Sequence, residues 1–337
     1  MTTAKLKHLT SEPLVSIIVT TYNSAAYVVE TLESAKAQSW KNIELIVSDD
    51  CSTDSTLELC RNWVAQNTDR FTRVEFVTVA KNTGVSASCN RSIRACQSDW
   101  IKIIAGDDIL FPNCIADNME FVLANPGATI VFSQVHVYED EFAPLKKIAI
   151  DPDRFPMNLM DPSFTADDQF KLLLLSDRIN YTPSYFFNRQ TILSVGGYDE
   201  ENKLVEDYPM WLKLTSAGYR LCYFHKATVG YRRHHQAANN VANYGLFKPL
   251  YLKSGPLKKQ YVYPYLPWDI AASEQHILRV SMLFHKMGLN RRTPACSFLY
   301  KISTVYANPY RYLIYFKKKF LRVGDRNIFY RDTAATG

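Results

Sequence analysis

No uninterrupted apolar run approaches ~18 residues, which excludes a membrane-spanning helix. No C-x-x-C pair occurs. The seven cysteines (Cys51, Cys60, Cys89, Cys96, Cys114, Cys222, Cys296) are scattered and odd in number. That argues against a disulfide framework or a zinc site and for reduced thiols in a cytosolic protein. Met1 to Glu12 is polar, with two lysines and no apolar core, so no secretory signal is expected. Internal repeats and low-complexity segments are absent. Acidic residues almost vanish late in the chain. Tyr244 to Tyr330 holds 15 Lys+Arg against 3 Asp+Glu, whereas Met1 to Asn243 holds 23 against 29, so the net charge of +6 conceals a basic last quarter. No nucleic-acid-binding motif accompanies that charge, and no nucleic-acid partner is expected.

What remains is ordinary globular composition: 337 residues, 47% hydrophobic and 21% charged, enough for one large domain or two smaller ones. Val15–Thr20, Ile43–Val47, Val74–Val79, Trp100–Ile104 and Thr129–Val137 read as apolar strands. Helical patterns fall over Ala25–Ala37 (with Ser24 as a cap), Leu57–Ala65, Val85–Cys96 and the segment after Pro112. This alternation implies a mainly parallel sheet with helices on both faces, an α/β fold whose ligands bind beyond the carboxyl ends of the strands. The loops at Tyr22-Asn23, Asp49-Asp50 and Asp107-Asp108 all follow strands and should meet on that edge. Beyond Val137 a loop-rich stretch runs to Pro162. A helix is expected over Ala166–Leu175, an aromatic strand over Tyr181–Phe187, and a helix starting near Val205.

The pair Asp107-Asp108 sits at the end of the strand Trp100–Ile104, after Gly106. Adjacent carboxylates repel unless a cation or water screens them. Carboxylates completed by substrate phosphates commonly hold Mg²⁺ or Mn²⁺. An isolated pair is more simply a solvated turn, and the convergence of three polar loops on one edge shifts the balance towards a site.

In order along the chain, Ser16-Ile17-Ile18-Val19-Thr20-Thr21-Tyr22-Asn23, Val47-Ser48-Asp49-Asp50-Cys51-Ser52-Thr53-Asp54-Ser55-Thr56, Asn82-Thr83-Gly84, Gly106-Asp107-Asp108, Gly196-Gly197-Tyr198-Asp199-Glu200 and Glu206-Asp207-Tyr208-Pro209-Met210-Trp211 form a series. It resembles that of inverting family 2 glycosyltransferases with the GT-A fold, and is similar to bacterial O-antigen and capsule polysaccharide glycosyltransferases. The likeness covers about Leu14 to His235. It implies that Thr20, Tyr22, Asn23, Asp50 and Gly84 serve the nucleotide, Tyr22 by stacking and Asp50 by accepting a uracil-like imide N–H. It implies Asp107 at the ribose or a metal-bound water, Asp108 with His234 (or His235) at a Mn²⁺ or Mg²⁺ ion, and Asp207 as the catalytic base, with Glu206 second. Pro183, Ser184 and Gly197 would line the sugar or acceptor pocket. The donor so implied is a UDP-sugar, and the acceptor a saccharide, with a polyprenyl-diphosphate-linked one among the options.

The series has departures. Ala105 stands where many relatives carry a further acid, and Ser88-Cys89 replaces an Ala-Arg before Asn90, leaving Arg91 or Arg94 as substitutes, though both suit a solvated face. The glutamine-Arg-Trp signature of processive synthases is absent, which implies transfer of one sugar at a time. A sugar nucleotidyltransferase would carry a glycine-rich loop and a basic residue after the first strand, and neither is there. A non-catalytic glycan- or nucleotide-binding module is the alternative from another class.

The expected organisation is a catalytic domain over 1–243, with a nucleotide-binding part at about 13–137 and an acceptor-binding part at about 138–243. A basic aromatic extension follows over 244–337. In it, Ala271–Met287 reads as an amphipathic helix, and Tyr310–Phe320 interleaves aromatics with Lys and Arg. That composition suits either an anionic membrane surface, at the inner face of the cytoplasmic membrane, or packing on the catalytic domain.

Overall fold

A computed structural model describes residues 12–202, 205–234, 245–325 and 327–330. The polar stretch before Glu12, His235 and Tyr244 lie outside the described residues. The chain forms two compact units, one through Gln169 together with Arg178–His234, the other from Phe170–Asp177 and the described residues after His234.

Along the chain run β1 (Val15–Thr21), α1 (Val28–Lys36), β2 (Ile43–Asp49), α2 (Thr56–Ala65), β3 (Arg73–Thr78), α3 (Val85–Ala95) and β4 (Trp100–Ala105). They are followed by β5 (Ile109–Leu110), α4 (Cys114–Ala124), β6 (Ile130–Glu139), β7 (Lys147–Asp151), α5 (Ala166–Leu175), β8 (Phe186–Asn188), α6 (Arg189–Ser194), α7 (Asp207–Ser216) and β9 (Leu221–Arg233). The sheet has the order β3-β2-β1-β4-β8-β6-β9-β5, with β7 paired to β6. It is parallel from β3 to β4, and β8 then runs antiparallel to both its neighbours, β4 and β6.

Every residue of β2 and nearly every one of β1 is buried, so both faces of this part of the sheet are covered. Each fully buried Val, Ile or Leu contributes about 1.5–3 kcal/mol. Val15, Ile17, Ile18 and Val19 thereby fix β1 firmly enough to hold the polar loop that follows it. Thr20 lies level with Ser48 of β2 and Ala105 of β4, so three polar loops leave the sheet at one height. Backbone bonds close the level: the Asp50 amide donates to Thr21 O at 3.0 Å and the Gly106 amide to Thr20 O at 2.8 Å.

Two local expectations differ from the structure, and one strand, β9, was not anticipated. Tyr181–Phe187 is not one strand. A 3-10 turn occupies Thr182–Ser184 and only Phe186–Asn188 pairs in the sheet, because Pro183 has no amide to give a ladder. Helix α1 starts at Val28, and the carbonyl of Ser24, not its hydroxyl, receives the Tyr27 and Val28 amides, both at 2.9 Å. The thirteen-residue β9 has no clear apolar alternation. Its polar middle, His225-Lys226, coincides with register shifts against β6.

In the second unit, α8 (Pro249–Lys253), α9 (Gly255–Tyr261) and α10 (Trp268–Lys286) precede α11 (Pro294–Lys301), a π-helical turn over Ile302–Tyr306, and α12 (Pro309–Phe320). Its interior holds a charged group: buried Asp269 on α10 accepts from Lys317 of α12 at 2.8 Å and from the Tyr330 hydroxyl at 2.8 Å. No helix among the described residues is long and apolar enough to cross a membrane.

Candidate functional site

The loops after β1 and β2 are clasped together. Asn23, at φ +52°, donates its amide to Ser52 Oγ at 2.9 Å and accepts the Thr53 amide at 2.8 Å. Asp54 accepts from the amides of Thr56 (3.0 Å) and Ala25 (3.2 Å), and Asp49 from the Ser52 amide at 2.9 Å. Carboxylates here do the work of loop caps. Tyr22 projects from this clasp with half its surface exposed, while the hydroxyl of Thr20 reaches Ile104 O at 3.4 Å.

Asp50 is turned inward to α3. Its oxygens accept from the Thr83 amide (2.9 Å), the Thr83 hydroxyl (2.6 Å), the Gly84 amide (2.7 Å) and the Arg91 guanidinium (2.8 Å). Burial raises its pKa, but these donors outweigh it and hold the carboxyl below its ordinary value. Gly84, at φ +90°, turns the chain into α3 and so delivers its amide to Asp50. Arg91 is thereby turned to Asp50 and mostly buried, where a solvated role was expected for it. Arg94 keeps that role, its exposed guanidinium 4.0 Å from Glu200.

Asp107 and Asp108 follow β4 across Gly106, where a β-carbon would come within 2.9 Å of Thr21 Cγ2. The two acids are unlike. Asp108 is buried, and its Oδ1 accepts the Arg232 amide at 2.8 Å because β5, directly after it, pairs with β9. Burial, with the charge of Asp107 next, pushes its carboxyl well above the ordinary value. Asp107 is more open and places Oδ2 3.0 Å from His234 Nε2. Arg232 supports both: its Nε donates to Asp107 O at 2.8 Å, and its guanidinium lies between the rings of Tyr27 and Phe142, at 4.5 and 4.2 Å.

Among the described residues, no three His, Cys, Asp or Glu side chains are placed to hold a metal ion together. The donors nearest to one another are the Asp107 carboxylate and the His234 imidazole, with Asp108 beside them in sequence and one of its oxygens on an amide. Such a partial set fits a divalent ion that takes its remaining ligands from substrate phosphates, as Mg²⁺ and Mn²⁺ do.

A third group gathers around α3 and the start of α7. Asp207 is the first residue of α7 and Glu206 its N-cap, where a negative charge meets the positive helix end. Burial raises the Glu206 carboxyl above its ordinary value. Buried Cys89 on α3 lies in the field of Glu206, Asp207, Arg91 and Asp50, so one helix lies between Asp50 and the acids that open α7. The hydroxyls of Tyr185 and Tyr198 meet at 2.8 Å, and the charge of Asp207 bears on both.

Gly197 is held against Asn90. Asn90 accepts the Tyr198 amide at 2.8 Å, donates to Tyr198 O at 2.9 Å and to Glu200 at 2.8 Å, and Lys213 bonds Gly197 O. Ser184 is fully buried, its hydroxyl donating to Tyr181 O at 2.7 Å and accepting the Ser133 amide at 3.0 Å. Pro183 is half-buried and offers its carbonyl to Lys102. Lys102 was not anticipated: a cation in the middle of a buried strand resembles any charged residue of a surface strand until its neighbours are known.

Residues 16–189 match the family model described as glycosyl transferase family 2. Among curated proteins, the uncharacterized protein y4gI of Sinorhizobium fredii is 31% identical over 62% of this chain and 21% of its own length. The uncharacterized glycosyltransferase RT0329 of Rickettsia typhi is 28% identical over 75% of this chain and 74% of its own. The putative teichuronic acid biosynthesis glycosyltransferase TuaG of Bacillus subtilis is 27% identical over 48% of this chain and 58% of its own. The chain thus spans between about a fifth and three quarters of these relatives. Among solved structures, S. aureus TarS in complex with UDP-GlcNAc is similar at a TM-score of 0.53 and 18% identity, over 80% of this chain and 72% of that one. The mannosyltransferase PcManGT from Pyrobaculum calidifontis, in complex with GDP-Man and Mn²⁺, is similar at 0.50 and 15% identity, over 96% and 83%. At these identities the structural likeness speaks for the fold.

Proposed function

The chain belongs to glycosyl transferase family 2 and is a glycosyltransferase of GT-A type, and from that premise we propose that it transfers one sugar, with inversion, from a UDP-sugar to a saccharide hydroxyl during surface polysaccharide biosynthesis. The acceptor in this reading is lipid-linked. Residues to about 137 hold the nucleotide and those of 138–243 the acceptor. The observation that carries the reading is the common level of the strand ends: Tyr22, Asp50 and the Asp107–His234 pair leave β1, β2, β4 and β9 at one edge of the sheet.

The exposed ring of Tyr22 stacks on the base. The four acceptor positions of Asp50 are all engaged, so a uracil imide must replace a present donor; the Arg91 guanidinium, on a long side chain, gives way more readily than the two backbone amides. Asp107, Asp108 and His234 would hold Mn²⁺ or Mg²⁺, which when bound offsets the charge of the diphosphate. Asp207 accepts the proton of the acceptor hydroxyl as that oxygen bonds to the anomeric carbon and the bond to the diphosphate oxygen breaks. The nucleoside diphosphate leaves from the opposite face, which is why the configuration inverts. Glu206, whose raised pKa reflects burial, shapes the pocket beside the base.

A thermal-shift screen of nucleotide sugars with Mn²⁺, followed by an assay of nucleoside diphosphate release with the stabilising donor, tests this. A UDP-sugar should stabilise the chain through binding linkage and release UDP only with an acceptor. Stabilisation by GDP-sugars alone would overturn the donor assignment.

A further inference from the structure

Helix α12 leaves a second, aromatic face open to solvent beside the one that packs on its own unit. Its exposed positions recur at Tyr312, Tyr315, Phe316, Lys319 and Phe320, spacings of three and four that trace one face. On that face Tyr312 is 58%, Tyr315 56%, Phe316 48% and Phe320 62% exposed. The less exposed face carries Tyr310, Leu313 and Ile314 together with a cation, Lys317, which bonds buried Asp269 and lies 5.5 Å from the rings of Trp268 and Tyr330. The lysines of the run Lys317-Lys318-Lys319 are therefore not equivalent. Lys317 is an internal strut, whereas Lys319 lies on the exposed face, its Nζ 3.0 Å from the Tyr315 hydroxyl.

The face continues into the preceding segment, where the Tyr312 hydroxyl donates to Tyr306 O at 2.8 Å. There Leu299, Ile302 and Tyr306 repeat the same spacing and are exposed. From Gln275 to Gly324 the sequence has ten Lys or Arg and no Asp or Glu. Rings exposed in a row cost solvation unless something apolar covers them. A surrounding charge of one sign selects a covering surface of the other.

We infer that the exposed face of α12, with Leu299, Ile302 and Tyr306, docks on an anionic lipid surface, its rings entering the headgroup layer and Lys319, Arg311 and Arg322 remaining among the phosphates. Tyrosine and lysine suit that depth, since each has an apolar stem and a polar tip. The inference concerns the second unit alone and does not depend on the donor or base assigned above. It identifies the surface at which a lipid-linked acceptor would be met.

The test is flotation of the full chain with phosphatidylcholine vesicles, with and without phosphatidylglycerol. The chain should float with the anionic vesicles only, and less at high salt. F316S/F320S and K319E should each lower the bound fraction by about tenfold or more, with Tm and UDP-dependent thermal shift unchanged. K317M, at an inward position, should lower Tm and leave flotation of the folded protein unchanged. Failure to float with anionic vesicles overturns the inference. So does flotation insensitive to F316S/F320S and K319E. Light scattering that shows a dimer dispersed by F316S/F320S would assign the face to a second copy of the chain instead. Loss of activity with flotation intact would count against the proposed function and not against this surface.

Discussion

The carboxylate of Asp50 and the guanidinium of Arg91 lie 2.8 Å apart, at the junction between the end of β2 and the start of α3. Arg91 takes one of the four acceptor positions of Asp50, the carboxylate proposed to receive a pyrimidine imide, and it is the one donor there on a long side chain.

Asp50→Asn is therefore expected to weaken uridine nucleotide binding about tenfold or more, since an amide cannot accept from all of these donors at once. Arg91→Ala separates two roles. If Arg91 only occupies the base position, UDP affinity holds or rises while Tm of the free protein falls by a few degrees. A tenfold loss of UDP affinity would make Arg91 a direct nucleotide contact. Titration calorimetry with UDP and Mn²⁺ measures both variants.

Asp207→Asn should reduce turnover by about 10²–10⁴-fold while the thermal shift with donor is kept. Glu206→Gln, at the helix cap, should alter KM more than kcat. A Glu206 variant as inactive as Asp207→Asn, beside an Asp207→Asn enzyme that still turns over, would exchange the two assignments.

Chelation by EDTA should abolish transfer and Mn²⁺ should restore it. His234→Ala should raise the Mn²⁺ concentration needed for half-maximal activity about 10- to 100-fold, with little change in Tm. Full activity in EDTA would remove the ion from the reaction.

The apolar runs of β1, β2 and β4 made the parallel half of the sheet legible, because strands buried on both faces read as unbroken hydrophobic stretches. The loop residues were legible for a different reason: each follows such a run, so Tyr22, Asp50 and Asp107 could be placed on one edge before any side chain was seen. What could not be read depends on partners distant in sequence. The inequality of Asp107 and Asp108 comes from a two-residue strand pairing with β9, some 120 residues later, which no local pattern records. The aromatic run at Tyr181–Phe187 suggested a strand, and Pro183 broke it. On α12 the spacing was readable, but which face is covered depends on α10, distant in sequence, whose buried Asp269 bonds Lys317.

That claim carries its own expectation. Burial raises the Asp269 pKa, but hydrogen bonds from Lys317 and Tyr330 outweigh it and leave the carboxyl below its ordinary value, while Lys317 is held above its own. A depressed acid stabilises the fold above its unfolded pKa of about 3.9 and loses that contribution as pH falls through the lower folded value. Lys317→Met should cost about 3 kcal/mol at neutral pH by leaving a buried carboxylate without its cation. The Tm difference from the unmodified chain should shrink once pH drops below the ordinary Asp range. A difference that stays constant to the lowest measurable pH would mean that the pair contributes packing and not charge.

Lys102 gives the opposite pH signature. It is fully buried on β4, donates to Tyr185 O at 3.1 Å and to Pro183 O, and burial lowers its pKa to about 8. An unfolded lysine stays protonated to about 10.5. Between these values the unfolded chain binds more protons, so stability should rise with pH. The cost of burying the charge is present in full below about 8 and is relieved as pH climbs towards 10.5. Lys102→Met removes that slope, and the Tm of the unmodified chain should gain on the variant over this window. The same variant leaves the Pro183 and Tyr185 carbonyls without their donor, loosening the turn that links β4 to the residues assigned to the sugar pocket. KM for the donor sugar is then expected to rise several-fold while the UDP dissociation constant stays unchanged, because the residues proposed to hold the nucleobase follow β1 and β2. If UDP binding falls in step with KM, Lys102 acts on the sheet edge as a whole and not on the sugar side alone.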